Sequence, residues 1–374
     1  MRRKVDIALF VGNMEVGGAE RMMLHLAEGF VDLGLTVDLI LVRATGPFLQ
    51  DIPPAVRVVD LNCAHSRSAL WKLVSYLRRE RPRALLSTLD TLNVIAILAK
   101  WMSGTKTRLV ISLTCYLSLV YAPKNADVFT GALSARITFA ALKILYRFAD
   151  RIVAISSGVA DDCAKLANIS RSKIEVFYLP VITHNLHARA LDPLRHDWFL
   201  DEEVPVILAV GRLSKAKDYP TLIKAFSILL KNRPAHLLIL GEGECRVELE
   251  QLIGELCLSR EISLHGFVDN QYAFMSRASV LALSSAWEGL SNVLIEALAC
   301  GTKVVSTDCF SGPREILEDG KWGKLVPVGD AAALALALQE TLAETAPFVS
   351  PPAEVMNRFT LGPVVNQYRK ILLD

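Results

Sequence analysis

The stretch VPVILAVGRLSKAKDYPTLIKAF, Val204 to Phe226, joins three features. Val204 to Val210 is an almost unbroken apolar run, as in a strand covered on both faces. Gly211 to Lys217 interrupts it with one glycine, one arginine and two lysines. Apolar spacing from Tyr219 to Lys231 then predicts a helix. A buried strand, a glycine-led loop and a helix in that order are the repeating unit of parallel sheets.

The alternation continues on both sides of this stretch. Towards the C-terminus, strands are expected at His236 to Leu240, Glu261 to Phe267, Ser279 to Ser284, Lys303 to Thr307 and Lys324 to Pro327. Helices are expected at Arg246 to Leu256 and Ser291 to Cys300. Towards the N-terminus, strands are expected at Val5 to Val11, Val37 to Val42, Val56 to Leu61, Ala84 to Thr88, Leu109 to Leu113 and Arg151 to Ser157. A helix over Ala19 to Leu33 is stopped by Gly34. The series breaks near Val181, and the polar stretch His184 to Glu203, with Pro193, reads as a linker. The chain therefore divides into an α/β domain over 1–183, a linker over 184–203 and a second α/β domain over 204–358. Residues 359–374 form a last helix that packs back towards the first domain. Two open sheets of this kind imply a cleft between them, fed by loops at the carboxyl ends of the strands.

Composition limits the class. Of 374 residues, 52% are hydrophobic, and mean hydropathy is positive, so membrane segments are the first question. The longest apolar candidate, Ala132 to Ala149, is interrupted by Arg136, Lys143 and Arg147, whereas a span needs about 20 mostly uncharged residues. The opening Met1-Arg2-Arg3-Lys4 leads into a run shorter than a signal core. Neither secretion nor a spanning helix is expected. Seven cysteines without a C-x-x-C pair fit reduced thiols in a cytoplasmic protein. The net charge of +2 hides an asymmetry: residues 1–190 carry 24 Lys and Arg against 15 Asp and Glu, and the remainder carries 17 against 24. A basic first half suits an anionic partner; two solvated surfaces with a chance imbalance would look the same.

Three segments carry chemistry. Gly17-Gly18-Ala19-Glu20-Arg21 opens the first helix, where glycine permits close approach and free N–H groups attract phosphate. It matches neither the dinucleotide fingerprint nor a P-loop, and a structural glycine turn reads alike. Arg212 and Lys217, five residues apart at a strand's carboxyl end, supply a directional fork and a point charge that together suit a diphosphate; a solvated basic loop is the alternative. Glu288-Gly-Leu-Ser-Asn-Val-Leu-Ile-Glu296 places a carboxylate in a loop and a second one in an apolar helix that Ser291 or Asn292 can cap. A carboxylate at Glu296 needs a partner, either a ribose diol or a structural salt bridge.

In order, GGAER (17–21), GRLSKAKDYPTLIKAF (211–226), LGEGECRVELEQLI (240–253), LHGFV (264–268), EGLSNVLIEALACG (288–301) and STDCFSGPREIL (306–317) resemble the retaining glycosyltransferases of family four, which have the GT-B fold of two Rossmann-like domains. The resemblance covers nearly the whole chain and is most specific from Gly211 to Val328. It implies that the first domain takes the acceptor and the second the nucleotide sugar. It implies that Arg212 and Lys217 bind the donor diphosphate, that Glu288 contacts hydroxyls of the donor sugar, and that Glu296 hydrogen-bonds the ribose. Backbone N–H groups of Gly289, Leu290, Ser291, Asn292 and Val293 would hold sugar and phosphates, Gly18 would approach the phosphate from the other domain, and Phe267 and Val268 would pack the base. It also implies no cofactor and no metal, because Arg, Lys and a helix dipole neutralise the leaving group. One departure stands out: many members carry His or Arg after the fifth strand, where this chain has Thr114 and Cys115. Cys115 has no His nearby in sequence to make it a nucleophile.

The resemblance implies transfer of a hexose or N-acetylhexosamine from a nucleotide-diphosphate sugar, with UDP the expected nucleotide. A lipid-linked or cell-envelope saccharide is the favoured acceptor, and no nucleic acid is expected as a partner. Arg2, Arg3, Lys4, Arg78, Arg79, Arg81 and Arg83 are basic. Tyr121 to Tyr146 mixes apolar residues with Lys124, Arg136 and Lys143, a composition able to lie on an anionic bilayer at the inner face of the cytoplasmic membrane. A core helix with a basic outer face is the other reading. A transferase acting on a soluble acceptor, a nucleotide-sugar epimerase and a non-catalytic nucleotide-sugar-binding protein are the competing functions.

Overall fold

The computed structural model describes residues 4–15, 17–121, 132–200, 203–345 and 348–374, with side chains of 132–136 left aside. By internal contacts it forms two units, Met1–Pro180 with Arg358–Asp374, and Val181–Asn357.

The first unit holds a seven-stranded sheet in the order β3-β2-β1-β4-β5-β6-β7, with every pairing parallel. Its strands are β1 (Ile7–Val11), β2 (Val37–Leu41), β3 (Arg57–Asp60), β4 (Ala84–Thr88), β5 (Arg108–Leu113), β6 (Arg151–Ala154) and β7 (Ile174–Val176). The central strands are buried along their whole length, as their continuous apolar runs require. Asp38 is the exception inside β2. It is fully buried and accepts hydrogen bonds from Arg57 Nε at 2.9 Å and Tyr76 OH at 2.6 Å, which compensates a charge in the sheet layer.

The second unit holds six parallel strands in the order β10-β9-β8-β11-β12-β13. They are β8 (Val206–Val210), β9 (His236–Leu240), β10 (Ile262–Gly266), β11 (Val280–Leu283), β12 (Val304–Thr307) and β13 (Lys324–Val326). Its core joins Leu222, Phe226 and Leu229 of the helix Tyr219–Leu229 to Leu334 and Leu338 of the helix Ala331–Ala343. Both units thus have the parallel, doubly wound sheets of the expected GT-B class.

β7 lies outside the expected strand series. Its three residues include Glu175, and it closes the sheet at an edge, so no apolar run marks it. The segment 184–203 carries the short helix Leu186–Ala190, which is tied to the second unit: Arg189 pairs with Asp269 at 2.7 Å, Ser276 Oγ donates to Ala190 O at 2.7 Å, and Trp198 stacks on His236 at 4.2 Å. The helix Leu361–Leu373 belongs to the first unit. Tyr368 is fully buried and meets Phe177 edge-on at 5.3 Å. Val365 fits over Gly29, where a Cβ would stand 2.3 Å from Val365 Cγ2.

Candidate active site

In the second sheet the strand order reverses between β8 and β11. Loops leaving the carboxyl ends of two such strands diverge and open a crevice, the usual ligand position in open α/β sheets. The loop after β8 is fixed by the one after β9. Gly241 has φ +142°, and a Cβ there would stand 2.1 Å from Gly211 O; one on Gly243 would stand 2.4 Å from Leu213 O. Only glycine allows this approach, and backbone bonds from Gly211 N to Leu240 O and Leu213 N to Glu242 O, both 2.9 Å, hold it.

On that fixed loop Lys217 runs back over Gly211, whose added Cβ would lie 2.9 Å from Lys217 Cε. Its ammonium donates to Glu288 Oε1 at 2.6 Å, and Ser285 Oγ donates to the same oxygen at 2.6 Å. The loops after β8 and β11 are stitched together around this pair by Ser284 Oγ to Lys217 O at 2.7 Å and Ala286 N to Ala216 O at 2.8 Å. The two charged side chains are 18% and 12% exposed, so their attraction is screened less than at a surface. Arg212 is 74% exposed and its Nε meets Glu244 Oε2 at 3.1 Å. An exposed pair of this kind contributes at most about 1 kcal/mol, so little energy is needed to redirect Arg212 to a ligand.

The helix Asn292–Ala299 begins beside the pair. Ser291 occupies the N-cap position, but its side chain makes no capping bond. The cap expected from Ser291 or Asn292 is therefore absent. Ser291 Oγ and Asn292 Oδ1 are buried without a hydrogen-bond partner, and the first N–H groups of a helix have no partners within it. The loop after β12 crosses close by: a Cβ on Gly312 would lie 3.2 Å from Ser291 N, and Ser311 Oγ donates to Gly289 O at 3.1 Å. Leu290 is buried, and Gly289 and Val293 are half-buried. Glu296 is 2% exposed and accepts from Gln271 Nε2 at 2.9 Å, so a neutral amide is among its partners. Phe267, 58% exposed, and half-buried Val268 follow β10. Cys309 is buried behind the site, and burial, with the Glu288 charge second, pushes its thiol up to about 12.

In the first unit, Gly17 is the N-cap of the helix Gly18–Asp32. A Cβ on Gly17 would stand 2.2 Å from Glu20 Oε2, so the helix start carries its own carboxylate, whose pKa burial raises. After β4, Leu89 takes φ +71° and leads into Asp90, the first residue of the helix Asp90–Ser103. Tyr146 OH donates to Asp90 Oδ1 at 3.3 Å and Cys115 Sγ to Oδ2 at 3.7 Å. Burial lifts the Asp90 carboxyl to about 6. Burial first, and then the Asp90 charge, raise the Cys115 thiol well above its ordinary value, which disfavours the thiolate a nucleophile needs.

These features sit in a recognisable lineage. The family description Glycosyltransferase Family 4 matches residues 16–185, and Glycosyl transferases group 1 matches residues 192–354. An N-acetylgalactosamine-N,N'-diacetylbacillosaminyl-diphospho-undecaprenol 4-alpha-N-acetylgalactosaminyltransferase of Campylobacter jejuni is 33% identical over 333 residues, 86% of each chain. The chain belongs to the family 4 glycosyltransferases. This glycosyltransferase is also 28% identical to the lipopolysaccharide core biosynthesis glycosyltransferase LpsE of Rhizobium meliloti, over 88% of its own length and 86% of LpsE. Its fold matches that of Anabaena HepE, solved with UDP and glucose, at a TM-score of 0.79 and 20% identity over 98% and 99% of the two chains.

Sequence reasoning missed several residues that shape the loops of one unit or the other in this glycosyltransferase. Ser285 lies three residues before Glu288 and could have been suspected from spacing alone. Gln271, Glu244 and Glu20 act through contacts that only the folded chain makes. Asp90 has one signal in the sequence, its place just after the strand Ala84–Thr88. Among the described residues, no helix is long and apolar enough to cross a membrane, and no three His, Cys, Asp or Glu side chains are grouped to hold a metal ion. Lys124 and Arg2 and Arg3, part of the expected basic surface, lie outside the described residues.

Proposed function

We propose that this glycosyltransferase moves a hexose or N-acetylhexosamine, with retention, from a UDP-sugar to a lipid-linked saccharide of the cell envelope, working from the cytoplasmic side of the membrane. The observation that carries the donor half is the Lys217–Glu288 pair set beside the uncapped start of the helix Asn292–Ala299. Lys217, Arg212 and the backbone amides of residues 289–293 at this helix start suit a diphosphate. Glu288 suits sugar hydroxyls and Glu296 the ribose, with Phe267 and Val268 beside the base and Gly18 approaching the phosphate. The donor's bond from anomeric carbon to phosphate oxygen breaks, the acceptor oxygen bonds to that carbon on the same face, and the acceptor's proton passes to the departing phosphate. The positive groups stabilise the charge that develops on that phosphate; the reading assigns no step to a metal or to Cys115. Support for the acceptor comes from the Campylobacter relative, whose name specifies a diphospho-undecaprenol saccharide.

A panel of radiolabelled nucleotide sugars, with and without EDTA, tests the reading against a diphospho-lipid saccharide and against water-soluble sugars. Transfer to the lipid-linked acceptor in EDTA, with the anomeric configuration kept, is the expected result. Transfer only to soluble acceptors, or complete dependence on Mg²⁺, overturns the corresponding half.

A further inference from the structure

The first unit has a second place built for anions, at the edge of its sheet away from the loops that follow its own strands. A cavity of about 590 Å³ opens at the amino-terminal edge of the sheet, beside the starts of β4 and β5. Four cations line it, Arg78, Arg81, Arg83 and Lys106, together with hydroxyl residues Ser103 and Thr105, and no Asp or Glu does. Ligand sites of open α/β sheets lie at the opposite, carboxyl edge, so this cavity is separate from sugar transfer.

Local structure accounts for some of the charge. The helices Ala69–Glu80 and Asp90–Ser103 both end here, and each contributes roughly half a negative charge at its C-terminus. Arg78 serves those ends directly, with Nη2 donating to Met102 O at 2.8 Å and Nε to Ser103 O at 3.4 Å. Arg83 reaches Asp6 Oδ1 at 3.4 Å. Two half charges and one carboxylate compensate roughly two of the four cations. Arg81 and Lys106 form no ion pair among the described residues, and both are exposed. Arg81 donates from Nε only to Arg78 O, at 3.4 Å. Its backbone holds φ +49° at the C-cap of the helix, a position where glycine is usual. An arginine in that conformation costs folding energy and places a cation at the mouth of the cavity. Ser103 Oγ and Thr105 Oγ1 lie 3.0 Å apart on the opposite wall. Trp101, two residues before Ser103, is 80% exposed, and exposed tryptophan beside basic residues is characteristic of membrane interfaces.

We propose that this cavity binds a phosphate group, mono- or diphosphate, through Arg81 and Lys106, with Arg78 held in place as the third donor. Either a lipid head group or a free phosphate compound presents that chemistry. The test is isothermal titration of the full chain with inorganic pyrophosphate at low salt. Two binding events are expected. Lys217→Ala removes the one in the second unit, and Arg81→Asn with Lys106→Gln removes the other, weakening it by about tenfold or more. Arg81→Lys with Lys106→Arg retains it, which separates charge from folding. Flotation with phosphatidylglycerol vesicles identifies the source. Binding that falls about tenfold in the Asn/Gln variant and is displaced by pyrophosphate points to a lipid head group. Vesicle binding that is unchanged while pyrophosphate binding is lost points to a free phosphate. An Asn/Gln variant that binds both pyrophosphate and vesicles as the wild type does overturns the proposal.

Discussion

The ammonium of Lys217 and the carboxylate of Glu288, 71 residues apart in sequence, meet at 2.6 Å. The resemblance gave the lysine to the diphosphate and the glutamate to the sugar. In the structure each holds the other, and Ser285 steadies the carboxylate. On the proposed roles, a nucleotide sugar that takes the ammonium would release Glu288 for hydroxyls, so that the two ends of the donor would bind in one exchange.

Lys217→Ala and Arg212→Ala should each lower kcat/KM by roughly 10²–10⁴, since each removes a contact that strengthens as charge builds on the leaving group. The double variant Lys217→Ala with Glu288→Gln should lose less than the product of the single losses, because contacting residues do not act additively. Steady-state kinetics on folded variants decides it, and near-wild-type rates for Lys217→Ala would refute the assignment.

Gly241→Ala should damage the second unit and Gly254→Ala should not. The first places a methyl 2.1 Å from Gly211 O at φ +142°, and the second meets nothing within 4 Å. Hydrogen exchange of β8 and β9 amides should show the first loosened, with donor affinity reduced with it. The second, in the helix Arg246–Glu255, should be unchanged or more stable by about 0.4–1 kcal/mol. Equal protection in both variants contradicts the close approach of the two loops.

Asp90 and His25 titrate against each other in the first unit. Burial raises Asp90 from 3.8 to about 6, so the folded chain binds that proton more tightly, and stability falls as pH rises from about 4 through 6. Burial lowers His25 from 6.5 to about 4 while Nδ1 meets Pro180 O at 2.7 Å, so stability is lost as pH falls from 6.5 through 4. The two nearly cancel. Native-state hydrogen exchange of β1 and β4 should gain stability with rising pH over 4–6 in Asp90→Asn and lose it in His25→Gln, by up to about 3 kcal/mol in each. Parallel pH profiles for the two variants would exclude the opposition.

Membrane affinity is expected from the helix Ala132–Leu145 and the turn after it. Ile144, Phe148, Lys143 and Arg147 are exposed there. Lys143→Glu with Arg147→Glu should weaken binding to anionic vesicles at least about tenfold, given roughly 1 kcal/mol per basic residue at such a surface, and leave nucleotide affinity unaltered. A wild type that stays in the supernatant with anionic vesicles at low salt rules this out.

Much of the architecture could be read from pattern, because strands buried on both faces write themselves as apolar runs: Ala84–Thr88 and His236–Leu240 have the expected boundaries. β7 escaped because an edge strand of three residues needs no such run. The site was legible in its residues and illegible in its pairings. Arg212, Lys217, Glu288 and Glu296 stand out by spacing, but that Glu244 would hold one, Gln271 another, and Glu20 fold over Gly17 depends on loops meeting after the sheets form. The absent cap at Ser291 opposes local propensity, and such conflicts concentrate where a ligand completes the structure.

The helix Leu361–Leu373 has a consequence for how the chain is made. Chains emerge from the ribosome in order, and domains ordinarily finish in that order. Here the hydrophobic seat around Tyr368 and Val365 on the first unit stays vacant until Leu361–Leu373 has been translated. The second unit, continuous from Val181 to Asn357, has every strand of its sheet available before then. The first unit, which begins before the second, is thus completed after it, and during that interval its uncovered helix and strands are the surface a nascent-chain chaperone would find.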